Sequence, residues 1–186
     1  MLKNKLRQVI RKMLYEASSQ AEGSYIDINS QEFKAWFGNS KIVDKNNNPL
    51  VVYHGTKDKF NGFERDYMGK NFSFRFGKGF YFTEIKENTS AYGDNLLSTY
   101  LCIKNPLIVS SDKEYKDAVE KGKEKIIADI KQKEGLKTDI VARDRLLSKE
   151  NNQILSEMGY DGVIYYYNGK MNEIVVFQTN QIKEIK

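Results

Sequence analysis

The sequence predicts an α+β fold with antiparallel sheets. Three observations carry that prediction. Short apolar and aromatic runs of strand type occupy two blocks, 41–109 and 161–185. A long stretch of mixed charge with helically spaced apolar residues separates them, and strands followed by helices and more strands is an α+β pattern. Asn168-Gly169-Lys170 lies between two of the late runs and is a tight hairpin signal.

Leu2, Leu6, Val9, Ile10, Met13 and Leu14 fall on one helical face, with basic residues mostly elsewhere on the wheel, so residues 1–20 read as a basic amphipathic helix. Its expected role is docking on the domain or on a partner assembly; an anionic membrane surface, a nucleic acid and transit-peptide use are the alternatives. No small-residue cleavage site follows a continuous apolar stretch, which argues against a secretory signal. The polar run at 18–30 reads as a linker or turn, and Ser30 then caps a short helix, QEFKAWFG, whose Trp36 is expected in the core. Lys41–Asp44 and Leu50–Tyr53 are short strands around the turn sequence Asn-Asn-Asn-Pro. Gly79–Thr83 is an aromatic strand, and Tyr100–Ile103 and Leu107–Val109 are strands on either side of Asn105-Pro106. Residues 112–150 are dense in charge, with Ala118, Val119, Ile126, Ile127, Ile130, Leu136, Ile140, Leu146 and Leu147 spaced as on helix faces. Two or three helices are expected there, serving as packing, as a lid or as an acceptor platform. Asp161–Tyr167, Glu173–Phe177 and Ile182–Ile185 complete the strands.

At 186 residues the chain suits one domain with a short appendage. Hydrophobic residues at 40% exclude wholesale disorder, and no apolar run reaches the length of a membrane span. The lone cysteine, Cys102, excludes an internal disulfide and a cysteine-cluster metal site; the lone histidine, His54, excludes any site built on two imidazoles. A soluble, intracellular, metal-free domain is expected. Of the net charge of +5, residues 1–20 carry +4 and the remainder +1, so the basic pI is weak support for nucleic-acid binding.

Three segments could carry chemistry. Tyr53-His54-Gly55-Thr56 ends an apolar strand with an imidazole, a bare backbone and a hydroxyl, although alone it reads more readily as a strand-end histidine before a turn. Gly77-Lys78-Gly79-Phe80-Tyr81-Phe82 lacks the Gly-Lys-Ser/Thr tail of a nucleotide P-loop. Tyr81 and Tyr92 are either core residues or, if one lies on the strand and the other on a following helix, two walls of a slot for a flat heteroaromatic ring. Glu173 opens an otherwise apolar strand; it points to solvent or presents a carboxylate to a cleft.

In order and local sequence, His54-Gly55-Thr56, Gly77-Lys78-Gly79-Phe80-Tyr81-Phe82 with Tyr92, and Asn172-Glu173-Ile174 together resemble the catalytic core of ADP-ribosyltransferases. The similarity is to the His-Tyr-Glu class, the diphtheria-toxin and poly(ADP-ribose) polymerase type. Flanking text such as FKAWFGNSKIVDKNNNPLVVYHGT and VVFQTNQIKEI looks like the domains found in phage and mobile-element proteins. The resemblance covers roughly residues 31–186 except the charged 112–150 segment.

That resemblance implies a split β-sandwich of two antiparallel sheets with flanking helices, a catalytic domain over 21–186 and a helical insert at 112–150. It implies a mono-ADP-ribosyltransferase with NAD as substrate, no metal, and transfer of ADP-ribose to a host macromolecule. Host protein is favoured as acceptor, with nucleic acid, a small molecule or water as alternatives, and a catalytically silent docking module as the non-enzymatic alternative. The location implied is the bacterial host cytoplasm, with delivery by a phage. Glu173 would stabilise the oxocarbenium-like ribose, and Gly55 would hold the nicotinamide carboxamide through its backbone. Tyr81 and Tyr92 would sandwich the ring, His54 would bind the adenosine ribose, and Thr56 would add a ribose contact. Thr89 or Ser90 would hold the carboxamide from the other side. Arginine-directed relatives carry Glu or Gln two residues before the catalytic Glu; here that residue is Met171, which makes arginine a less suitable acceptor.

Overall fold

The structure is a computed structural model that describes residues 26–57, 62–63 and 75–185. The basic segment 1–20, expected to be helical, lies outside the described residues.

Helix α1, Gln31–Phe37, begins where the Ser30 side chain accepts a hydrogen bond from the Phe33 N–H at 3.1 Å, an N-cap that satisfies one otherwise unpaired donor. It buries Phe33 and Phe37. Trp36, expected in the core, is only half-buried, because its indole N–H reaches the rim to donate to the Asn180 carbonyl at 2.8 Å. The Asn-Asn-Asn-Pro turn forms around the Asp44 carboxylate, which accepts the backbone N–H groups of Asn46 and Asn48.

The strands are β1 (Val52–Thr56), β2 (Phe80–Phe82), β3 (Asn95–Leu101), β4 (Pro106–Val109), β5 (Gly162–Tyr167), β6 (Lys170–Val176) and β7 (Ile182–Ile185). A 3-10 helix, Lys86–Tyr92, lies between β2 and β3. Three strands form one sheet in the order β1-β3-β7, and four form a second in the order β2-β6-β5-β4. This is an α+β fold with two sheets, as the sequence predicts.

One pair departs from the antiparallel expectation: β4 and β5 run parallel. The cause is the chain between them, since parallel neighbours need a long crossover connection. Helices α2 (Asp112–Glu134), α3 (Ile140–Leu146) and α4 (Asn151–Glu157) supply it. The helical region therefore extends past residue 150. Helix α2 is capped by Ser111 and ends at Gly135 in the left-handed conformation. Its buried Tyr115, Val119, Gly122 and Ile126 recur at helical spacing, and its charges pair on the opposite face, as in Lys113–Asp117. Ile140 and Leu147, expected on buried faces, are instead 74% and 84% exposed.

The strands of the larger sheet alternate between two cores. Val163, Tyr165, Val175 and Phe177 pack toward the helices with Tyr115, Val119, Ile154 and Leu155. Ile164, Ile174 and Val176 pack between the sheets with Val52, Phe80, Phe82 and Leu101. The β5–β6 hairpin turns at Asn168 and Gly169, both with positive φ, as a type I′ turn requires. The alternation then fixes which face of β6 carries Glu173: that of Val175 and Phe177, on the helix side.

Candidate functional site

Strand β1 is where the sheets meet. The Tyr53 N–H donates to the Thr83 carbonyl at 2.8 Å, and the Thr83 N–H donates back to Tyr53 at 3.0 Å, just past the end of β2. Backbone groups of successive residues on a strand point to opposite edges, so those of residues two apart share an edge. Since Tyr53 directs both its groups toward Thr83, Gly55 directs its N–H and C=O to the same edge, past the end of the β2 contact. The sheet splits there, and Gly55 presents a backbone donor and acceptor along the split.

The same glycine is held tightly on its face. A Cβ built at Gly55 would meet the Thr89 carbonyl oxygen at 2.3 Å, a contact no real side chain makes. Glycine thus seats the 3-10 helix against β1, where the sequence offered only the close approach of a ligand as its reason. That helix places three candidates. Thr89 is buried beside Gly55 and donates its hydroxyl to the Lys86 carbonyl at 2.7 Å, leaving its oxygen lone pairs to accept. Ser90 is exposed and bonds the Glu87 carbonyl. Tyr92 stands at the helix end, 45% exposed. Thr56 ends β1 with its backbone against Gly93.

The His54 ring leaves β1 toward β2. Its Nδ1 lies 2.7 Å from the Tyr81 carbonyl oxygen. A carbonyl only accepts, so Nδ1 carries the proton and Nε2 is the ring's acceptor. Phe63 and Phe82 flank the imidazole. Burial pushes its pKa below the usual histidine value, against the opposing pull of the Tyr81 carbonyl, so the ring is neutral at pH 7.

Tyr81 packs against the helix-side core. Its hydroxyl donates to the Gly77 carbonyl at 2.7 Å and accepts from the Phe76 N–H at 3.0 Å, which locks the ring under the preceding turn. Burial first, then the nearby Tyr115, Glu173 and Tyr92, drive its pKa upward, so the phenol stays protonated. Tyr81 pairs with Val175 across β2 and β6. Glu173 is two residues from Val175 on the same face, which makes it a diagonal cross-strand neighbour of Tyr81, within reach of long and aromatic side chains.

Glu173 is partly buried, and its Oε1 accepts from Arg75 Nη1 at 2.9 Å. Arg75 Nε also donates to Asp112 Oδ1 at 2.6 Å. Burial opposes the charge on Arg75, but hydrogen bonds to Tyr165, Glu173 and Asp112 outweigh it and raise its pKa further. Nearby, the Asn88 side-chain amide donates to Asn172 Oδ1 at 3.1 Å, tying the 3-10 helix to β6. Met171 is buried between the sheets, so it offers no polar group beside Glu173.

The fold thus gathers His54, Gly55, Thr89 and Tyr81 around the split between the sheets, with Glu173 diagonal to Tyr81; Ser90 is on the outer side of its helix. Sequence reasoning missed Arg75 and Asn88. Their partners lie 98 and 84 residues away, and neither occurs in a patterned run that would have marked it. A depression of about 310 Å3 elsewhere is lined by residues such as Lys149, Asn152 and Gln178, none of them a candidate. Among the described residues no group of three His, Cys, Asp or Glu side chains is placed to hold a metal ion, and no helix is long and apolar enough to cross a membrane.

No curated protein matches the chain. A solved structure described as that of an anti-CRISPR protein is similar at 15% identity and a TM-score of 0.36, over 73% of this chain and 95% of that one. Residues 44–186 match the family described as ADP-ribosyltransferase in polyvalent proteins, and with most of its length inside that match the chain belongs to this family.

Proposed function

We propose that this domain cleaves NAD at the bond between nicotinamide and ribose and transfers the ADP-ribose once, to a host protein. The observation that carries the reading is the convergence on Tyr81. His54 bonds its backbone and Glu173 is its diagonal neighbour, while Gly55 offers a backbone edge that is open among the described residues, past the Tyr53–Thr83 bridge.

The groups fit the substrate. A carboxamide has one acceptor and two donors, and Gly55 N–H, Gly55 C=O and the Thr89 hydroxyl oxygen answer them in kind. Thr89 takes this role rather than Ser90, because Thr89 is the one seated beside Gly55. Tyr81 and Tyr92 supply aromatic faces for the nicotinamide ring. The neutral His54, with Nδ1–H committed to Tyr81, turns its acceptor Nε2 to a hydroxyl of the adenosine ribose; Thr56 adds a ribose contact.

In the chemical step the glycosidic C–N bond breaks and its electron pair leaves with nicotinamide. The leaving nitrogen is already cationic, so no strong general acid is needed. Positive charge develops on the ribose, as in glycoside cleavage. The Glu173 carboxylate stabilises that charge and orients a ribose hydroxyl, a contact worth about 3–4 kcal/mol, or roughly 100- to 1000-fold in rate. An acceptor nucleophile then bonds to the ribose carbon and gives up its proton. The apolar Met171 supplies nothing to orient an arginine, which favours a different acceptor side chain.

The test is incubation of the purified chain with NAD labelled in its adenylate part and a bacterial lysate. Label on protein bands, together with nicotinamide release, supports the reading, and Glu173→Gln abolishes both. Label lost to nuclease but not to protease moves the acceptor to nucleic acid, and release without labelled macromolecules points to water or a small acceptor. Absence of nicotinamide release refutes the enzymatic reading.

A further inference from the structure

We propose that Arg75 is the positioning residue of the Glu173 carboxylate, and that Asp112, at the start of the crossover helices, keeps the cluster negative enough to serve a cationic ribose. This rests on the role given to Glu173 above and adds a device to it.

A glutamate carboxylate turns freely about its last torsion, which is broad and roughly two-fold. Arg75 removes that freedom. Its Nη1 engages Oε1 at 2.9 Å, so among the described residues Oε2 remains for a substrate hydroxyl. The guanidinium is itself fixed. Its central carbon lies 4.4 Å from the Tyr165 ring centroid and 4.8 Å from that of Phe76, and its Nε is bonded to Asp112 at 2.6 Å. A flat cation held by stacking and by two carboxylates in different directions is a use for which arginine, and not lysine, is shaped.

A cation bonded to a residue that must stabilise another cation would ordinarily weaken it. Asp112 resolves the conflict. Two carboxylates share one guanidinium, and the cluster retains one negative charge. The helices contribute a second support. A Cβ at Gly77 would meet the Tyr115 hydroxyl of α2 at 2.7 Å, so the turn that binds the Tyr81 hydroxyl rests on the same helix that supplies Asp112. The crossover region, which has no counterpart among the motifs that carry the resemblance, thereby braces both Tyr81 and Glu173.

The experiment measures steady-state nicotinamide release by the full chain and by Arg75→Ala, Arg75→Lys and Asp112→Asn, with thermal melts alongside. Arg75→Ala is expected to lower kcat about 10- to 100-fold with the KM for NAD within about twofold, because positioning acts on the chemical step. Added guanidinium chloride at millimolar concentration is expected to restore part of that loss, while Arg75→Lys stays impaired. Asp112→Asn is expected to lower kcat by no more than about fivefold, and less at high salt, as an exposed pair allows. Unchanged or raised kcat in Arg75→Ala overturns the proposal, a rise marking the contact as a latch instead. If the melt shows Arg75→Ala unfolded, wild-type kcat in Arg75→Lys overturns it. An active wild type with these results defeats the positioning role alone; a wild type that releases no nicotinamide defeats the NAD reading and this proposal with it.

Discussion

Around Gly55 the site is made of backbone, and around Glu173 it is made of side chains. On the β1 side, a strand edge that is open among the described residues past the Tyr53–Thr83 bridge does the presenting, and a 3-10 helix sits so close that only glycine fits. On the β6 side, each group is held by another side chain or a turn: Glu173 by Arg75, and Tyr81 by Gly77 and Phe76. The difference teaches a division of labour. In the proposed reading, backbone geometry binds and orients the flat nicotinamide end of the substrate, and the side-chain cluster supplies the negative charge that the developing ribose cation needs. Perturbations on the β1 side should therefore read out in binding, and those on the β6 side in turnover.

The largest expected effect is on the β6 side. Glu173→Gln keeps the size and the hydrogen bond to Arg75 while removing the charge, and kcat should fall roughly 100- to 1000-fold with the melting temperature unchanged. Retained turnover breaks the assignment of charge to this side. Gly55→Ala attacks the other side. Its Cβ would lie 2.3 Å from the Thr89 oxygen, so the 3-10 helix must move. A loss of about 1–3 kcal/mol in stability is expected, as for overpacked positions, together with weakened NAD binding. Wild-type stability and binding would show that the contact has slack.

His54→Ala sharpens the comparison, since His54 stands on β1 but touches Tyr81. Its effect should appear as a KM for NAD raised roughly 3- to 10-fold, the worth of one hydrogen bond, with kcat nearly constant. The smallest effect is in pH dependence. Because burial holds the folded His54 pKa below the ordinary 6.5, the unfolded chain takes up this proton first as pH falls. Stability should therefore decline from about pH 6.5 downward until the folded histidine also titrates, and His54→Ala should remove that part of the decline. A decline of equal size in the variant would place its origin elsewhere.

Much of this was legible in the sequence, for identifiable reasons. Ser30 and Gly38 punctuate α1, Asn168-Gly169 specifies the hairpin, and the alternation in GVIYYY and EIVVF separates the two cores, because each of these signals is local. The candidates His54, Gly55, Tyr81 and Glu173 stand in order along the chain, and pairing of β1 with Thr83 and of β2 with β6 is what brings them together. What the sequence did not disclose depends on long connections. The parallel β4–β5 pair follows from the length of the helical crossover, not from any strand pattern. The exposure of Ile140 and Leu147 reflects a short helix that buries only Ala142 and Leu146. Arg75 sits outside every motif, and its importance comes from partners on α2 and β6.

The central claim is that these two dissimilar sides close around one dinucleotide, and a crystal structure of the full chain with a non-cleavable NAD analogue tests it most directly. The account predicts the carboxamide on the Gly55 backbone with Thr89 beside it, the nicotinamide ring against Tyr81, and a ribose hydroxyl at Glu173 Oε2. An analogue bound away from Gly55 and Glu173, or none bound at saturating concentration, would contradict it.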